Sequence, residues 1–374
     1  MTISGEFLSL SEVPMKILFL VPYAYDKAPS QRFRFEQYLG ELGKKGWSFR
    51  VSPFLDDSAW AVLYRKGHFL PKVLGVFRGY FRRLIDLVSL FRYDVVFIHR
   101  EASPFGPPWM EWLITKVFRK YTVFDFDDAI WIPNASETNY YTTRLLKSFS
   151  KTASIVRWST VISCGNRYLA DYASKYNSNA IVNPTTIDTE GWHNAVAAPE
   201  STRFVIGWTG SHSTVQVLEL LLPVFQYLES KYDFELHVIC DAPPKFRLRS
   251  LRFIPWSKEV EVRELLKFNV GIMPLADDEW ARGKCGFKAL QYMSVGVPAV
   301  VSNIGVNAEI VDHGVNGFVC STTEDWKNSL EQLIQQPQLA LELGSRARRK
   351  VLDHYSVSAN TANFISLFEL PEKR

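Results

Sequence analysis

Short apolar runs rich in β-branched and aromatic residues alternate with stretches of helical periodicity along the chain. In the first half the strand-like runs are KILFLV (16–21), FRVSPF (49–54), DVVFIH (94–99), TVFDF (122–126), TVIS (160–163) and AIVNP (180–184). Helical patterns at 33–46, 60–92, 108–121 and 167–176 fill the gaps. The pattern restarts with RFVIGW (203–208), FELHVIC (234–240), LRFIPW (251–256), VGIMPL (270–275), PAVVS (298–302) and GFVCS (317–321). Helices are expected between these at 215–230, 259–268, 287–296 and 325–336. Such alternation predicts an α/β protein with doubly wound parallel sheets. The restart predicts two of them, over 15–190 and 203–354, joined through GWHNAVAAPEST (191–202) and followed by a last helix within 355–374. Residues 1–14 carry no such pattern and are expected to be a loose extension.

A length of 374 residues fits two cores better than one. No apolar run reaches the length of a membrane span, and the first residues lack the basic start and apolar core of a signal peptide. The four cysteines, Cys164, Cys240, Cys285 and Cys320, have neither disulfide-like nor zinc-like spacing, which points to a reducing cytoplasm. The net charge of +4 is small but unevenly spread. Between Trp60 and Arg92, Arg65, Lys66, Lys72, Arg78, Arg82, Arg83 and Arg92 stand against one acid, Asp86, and are interleaved with aromatic and aliphatic residues. A helix of this kind can lie on an anionic membrane surface, or can pack on a core with its basic face solvated. No nucleic-acid motif accompanies the charge.

Candidate chemistry concentrates at strand ends. The loop ADDEWARGKCG (276–286) precedes a helix, and a helix start flanked by Lys284 and Lys288 is a natural anion site. The turn Asn303-Ile304-Gly305 can approach the same spot. Gly207-Trp208-Thr209-Gly210-Ser211 follows a strand and opens a helix, and its spacing is not that of a dinucleotide fingerprint. It is either an ordinary turn or a phosphate contact, and its pairing with the Lys284 loop favours the latter. In the first half, Arg32 and Arg34 fall at an expected helix start, where cations need an anionic partner. His99-Arg100-Glu101 and Asp125-Phe126-Asp127-Asp128 also end strands, and three clustered carboxylates need nearby cations such as Arg32, Arg34 or Arg100.

The run GFKALQYMSVGVPAVVSNIGVNAEIV, followed by GVNGF, resembles the donor-binding half of retaining family 4 glycosyltransferases. The resemblance is close over about 205–320 and extends in outline to most of the chain. It implies the GT-B fold, with two Rossmann-like domains facing a cleft and a last helix crossing back to the first domain. It also implies transfer of a sugar from a nucleoside diphosphate sugar to a hydroxyl, with retention. The acceptor would be a glycan or lipid-linked glycan, as in bacterial cell-surface polysaccharide synthesis. The departing diphosphate would take the acceptor proton, and no cofactor or metal is expected. The family's two glutamates, eight residues apart, fall here on Gly283 and Gln291, so both carboxylates are absent. Asp277, Asp278 or Glu279 could replace one of them. On this reading Gly207, Thr209, Gly210, Ser211, Lys284 and Lys288 hold the diphosphate. Gln291, Asn307, Glu309 and Trp256 hold the nucleoside or sugar, and His99 touches the donor sugar. Asp127 and Asp128 orient the acceptor beside Arg32, Arg34 and Arg100. Asp125-x-Asp127 matches the metal motif of the other glycosyltransferase fold, but a chain with two α/β halves argues against metal. The rival readings are a non-catalytic GT-B binding protein and a GT-B-like enzyme, such as an epimerase, acting on nucleotide sugars without an acceptor.

Overall fold

The computed structural model describes residues 14–63, 65, 67–133, 149–198 and 202–369. The expected extension at 1–14 lies almost wholly outside this range. Among the described residues two six-stranded sheets form, and in both the strands pair in parallel. The first sheet contains β1 (Lys16–Tyr23), β2 (Ser48–Leu55), β3 (Val95–His99), β4 (Tyr121–Phe126), β5 (Val161–Cys164) and β6 (Ala180–Val182), in the order β2-β1-β3-β4-β5-β6. The second contains β7 (Phe204–Thr209), β8 (Phe234–Cys240), β9 (Leu251–Pro255), β10 (Val270–Met273), β11 (Ala299–Ser302) and β12 (Gly317–Cys320), in the order β12-β11-β10-β7-β8-β9. All twelve expected strands are present. Their interiors are buried because helices cover both faces of a doubly wound sheet, which is why they read as unbroken apolar runs.

By packing, the chain divides into two compact units, Met1–Asp125 with Leu145–Val161 and Ile365–Arg374, and Phe126–Arg144 with Ile162–Phe364. In the first unit β1 and β3 carry a cluster of stacked rings, in which Phe19 and Phe97 pack against Phe35 and Phe368. Phe368 comes from the end of the chain, where the Leu367 and Glu369 carbonyls accept from the Tyr121 hydroxyl at 3.4 and 3.0 Å. In the second unit the helix Val357–Ser366 is tied to the segment after β6, since Ile187 N–H donates to the Tyr355 carbonyl at 2.8 Å.

Strand order marks where ligands can sit. In each sheet the order reverses beside its first strand, between β1 and β3 and between β7 and β10. In open α/β sheets the crevice at such a reversal, outside the carboxyl ends of the strands, is the usual ligand position.

Candidate functional site

The second sheet brings two of the expected segments to its reversal point. The turn after β7 holds Gly210 and Ser211, and the loop after β10 leads to the short helix Glu279–Arg282 and then to the helix Phe287–Ser294. Gly286 sits just before that helix at φ +66°, and a side chain there would strike Ile310. Gly305, at φ +58°, lies so close to the backbone of Arg282 that a Cβ would come within 2.8 Å of its carbonyl oxygen. The 303–310 segment therefore packs directly on the lysine loop, as expected of the turn Asn303-Ile304-Gly305.

Lys284 and Lys288 are both half-buried. Each ammonium lies over an indole ring, Lys284 over Trp280 and Lys288 over Trp208, at 5.7 Å from the ring centre. Among the described residues neither ammonium makes a hydrogen bond or an ion pair. Burial, and secondarily the charge of Lys284, lower the Lys288 pKa to about 8, with Asp128 opposing the shift. A half-buried cation whose protonation a second cation opposes, beside a sheet reversal, is a place that would favour an anion.

The same unit sets Asp127, Asp128 and Ala129 against this loop. The Cys285 thiol donates to the Asp127 carbonyl at 3.1 Å. A Cβ on Gly283 would lie 2.7 Å from the Ala129 Cβ and 2.9 Å from its nitrogen. The chain therefore leaves no room for a side chain at Gly283, the position to which the resemblance assigns the first glutamate. Asn166 fastens the loop from another side. Its oxygen caps the helix Arg167–Ser174 by accepting from Leu169 N–H at 2.9 Å, and its amide nitrogen donates to the carbonyls of Gly283 and Lys284 at 3.1 and 3.0 Å. Asn166 was missed in the sequence, although a strand, Gly and Asn ahead of a helix is a recognisable cap.

Several other expected contacts have structural explanations. Gly207 makes room for the Phe268 ring, which would lie 2.0 Å from a Cβ at that position. Gly210 accommodates Trp208, whose indole nitrogen is buried without a partner. Thr209 N–H is occupied by the Tyr292 hydroxyl at 3.1 Å. Ser211 and Thr214 bond each other, the Ser211 N–H donating to the Thr214 hydroxyl at 3.2 Å. Trp256 donates to Glu261 at 3.0 Å. Asn307, expected to contact the donor, is buried and donates to the Ser302 carbonyl at 3.0 Å. Glu309 is exposed on the helix Asn307–Ile310. Gln291 is buried, and its amide nitrogen has no partner. Of the carboxylates considered as replacements, Asp277 pairs with Arg282 at 2.9 Å and Asp278 caps the helix Glu279–Arg282 through Ala281 N–H at 2.7 Å.

In the first unit the reversal between β1 and β3 holds a buried polar chain. Asp125 is paired with Arg34, and its second oxygen lies 2.8 Å from His99 Nδ1. His99 Nε2 faces the Ser30 hydroxyl at 3.2 Å. Arg34, His99 and Asp125 have no exposed side-chain surface, and the Asp125 carboxyl is held well below the ordinary range by Arg34 and by hydrogen bonding from His99, against desolvation. The His99 ring, expected to touch the donor sugar, links Asp125 to Ser30. The expected placement of the two arginines at a helix start is corrected. The helix is Pro29–Arg34, so Arg32 and Arg34 stand in its last turn, where the dipole favours cations. Arg32 pairs with Asp26 at 3.4 Å. Arg100 adopts a left-handed conformation at φ +61°, and its N–H donates to the Asp125 carbonyl at 2.7 Å. Among the described residues no group of three or more His, Cys, Asp or Glu side chains is arranged to hold a metal ion.

Comparison with known proteins fits this arrangement. Residues 203–336 match the family described as Glycosyl transferases group 1, a stretch that contains the whole lysine loop. N-acetyl-alpha-D-glucosaminyl L-malate synthase of Bacillus anthracis is 24% identical over 151 residues, 38% of this chain. The match spans 39% of that protein's length, well under half. Among solved structures, sucrose-phosphate synthase from Thermosynechococcus elongatus matches with a TM-score of 0.68 at 11% identity, covering 95% of this chain and 98% of that one. Anabaena Alr3699/HepE, in complex with UDP and glucose, matches with a TM-score of 0.63 at 13% identity, covering 94% and 98%. The chain has the GT-B fold. The resemblance to the family 4 type of glycosyltransferase holds, and the Glycosyl transferases group 1 segment is its second sheet with the surrounding helices.

Proposed function

We propose that the protein is a glycosyltransferase that moves a sugar from a nucleoside diphosphate sugar to a hydroxyl of a glycan or lipid-linked glycan, with retention at the anomeric carbon. The observation that carries this reading is the half-buried, unpaired cation pair Lys284 and Lys288 within the matched family segment. Such a pair supplies what a departing diphosphate needs, fixed positive charge in a partly desolvated place. In this proposal Lys288 and Lys284 neutralise the leaving group, and Asn166 keeps their loop in position. Gln291, with its free amide nitrogen, is the polar group nearest in sequence for the donor's ribose or sugar. Asp127 and Asp128 are the carboxylates assigned to orient the acceptor hydroxyl, and neither a cofactor nor a metal takes part. A UDP-bound neighbour supports the ligand class without fixing the base. The bacterial cell surface remains the proposed destination of the product, and the cytoplasm the proposed location of the enzyme.

The test is a thermal-shift panel of UDP, GDP, ADP and CMP with their sugar conjugates, each with and without EDTA. Stabilisation by one nucleotide, unaffected by EDTA and lost in Lys284→Ala/Lys288→Ala, is the expected result. Crowding at Gly283 favours a second reading, a GT-B protein that binds nucleotide without turnover. Stabilisation without donor hydrolysis or transfer would select it.

A further inference from the structure

The helix Phe69–Ser89 packs the opposite way round from an ordinary surface helix. Its buried face carries Gly75, Gly79, Arg83, Asp86 and Leu87. Gly75 presses on Ala59 and Gly79 on Phe54, where a Cβ would come within 2.8 and 2.7 Å. Arg83 is consumed inside, donating to the carbonyls of Ala102, Ser52 and Val21 at 2.6, 3.0 and 2.9 Å and pairing with Asp86 at 3.0 Å. The opposite face is apolar and faces outward. Leu70, Leu74, Phe77, Phe81, Leu84 and Val88 recur every three or four residues, and all are at least half exposed. The stripe runs nearly the whole length of the 21-residue helix, itself about 31 Å long. Phe91, 74% exposed, extends it just past the helix end.

Within the segment that carries this stripe the exposed charge has one sign. From 58 to 93 the only acid is Asp86, which is buried against Arg83. Arg65, Arg78 and Arg92 are exposed. Tyr80 bonds the Phe105 carbonyl at 2.9 Å, and the chain beyond it presents exposed Trp109, Trp112, Val117 and Phe118 beside exposed Lys116 and Arg119. Tryptophan and basic residues next to bare aliphatic and phenylalanine side chains are the composition of a membrane–water interface. No helix among the described residues is long and apolar enough to cross a membrane, so this one would lie along the surface.

We infer that the outer face of the 69–89 helix is a lipid-facing surface that seats the protein on an anionic bilayer, its phenylalanines and leucines in the headgroup boundary and its arginines on lipid phosphates. A second copy of the chain fits less well, because two such faces would bring like charges together. The inference goes beyond the proposed transfer reaction, and its test reads partition rather than turnover. Full-length protein is sedimented with vesicles of phosphatidylcholine mixed with phosphatidylglycerol, and with phosphatidylcholine alone, at low and high salt. Strong binding to the anionic vesicles, weakened by salt and reduced by about tenfold or more in Phe77→Ser/Phe81→Ser, is expected. Both side chains are exposed, so the variant should melt with the wild type, which keeps a loss of binding interpretable. Failure to bind anionic vesicles at low salt would overturn the proposal, as would equal binding by the variant. Light scattering that shows a dimer dissolved by the same substitutions would also overturn it, assigning the face to a second copy.

Discussion

Lys288 offers a quantitative probe of the anion site. In the ligand-free protein its pKa is lowered to about 8, because burial and the charge of Lys284 both oppose its protonation. In the proposed site a bound diphosphate would supply negative charge and return the lysine toward its ordinary value near 10.5. Binding above pH 8 therefore takes up a proton. At pH 8.5 about three-quarters of a proton should be absorbed per nucleotide sugar, and between pH 7 and 9 affinity should fall by about tenfold, or about 1.4 kcal/mol. The same shift makes the free protein more stable as pH rises from 8 toward 10.5, since there the unfolded chain binds more protons than the native one. Titration calorimetry in two buffers of different ionisation enthalpy measures the uptake directly. Lys288→Arg, which stays charged throughout, should flatten the pH profile. Absence of proton uptake at pH 8.5 in a protein that does bind nucleotide sugar would show that the diphosphate does not lie on Lys288.

Other predictions concern the supports of the site. Gly283→Glu, which restores the family's residue, should destabilise the protein by about 1–3 kcal/mol in denaturant unfolding without raising turnover, because its Cβ meets Ala129. Asn166→Ala should cost about 1–2 kcal/mol through the lost helix cap and also weaken nucleotide binding, as the Gly283 and Lys284 carbonyls lose their donor. Asp125→Asn should cost about 3–5 kcal/mol by stranding the Arg34 guanidinium. Because the Asp125 carboxyl is held below its ordinary value near 3.8, its contribution is present above that pH and is lost as the pH falls further, which acid unfolding of wild type and variant will compare.

The sheets were legible because parallel strands buried on both faces leave unbroken apolar runs, and the lysine loop was legible because Gly, Lys and a helix start are local features. What stayed hidden depended on which atoms fill the space beside a residue. Nothing around Gly207 in the sequence announces Phe268, and nothing around Gly283 announces Ala129, yet those neighbours decide whether each glycine serves a ligand or a packing contact. Arg32 and Arg34 were misjudged because the helix begins at Pro29, four residues before the expected start, which turned a first turn into a last one. The 69–89 helix shows the same limit. Its amphipathic period was plain, but only packing reveals that Arg83 and Asp86 point inward while Phe77 and Phe81 point out.

The central claim is that Lys284 and Lys288 carry the leaving-group charge in a glycosyl transfer. Its most direct measurement is the rate of nucleoside diphosphate release from the stabilising nucleotide sugar, by wild type and by Lys284→Ala/Lys288→Ala, with the fold of each checked by its melting curve. Measurable release by the wild type, lost by about a hundredfold or more in a folded double variant, is the predicted result. Equal release by the two proteins would contradict it.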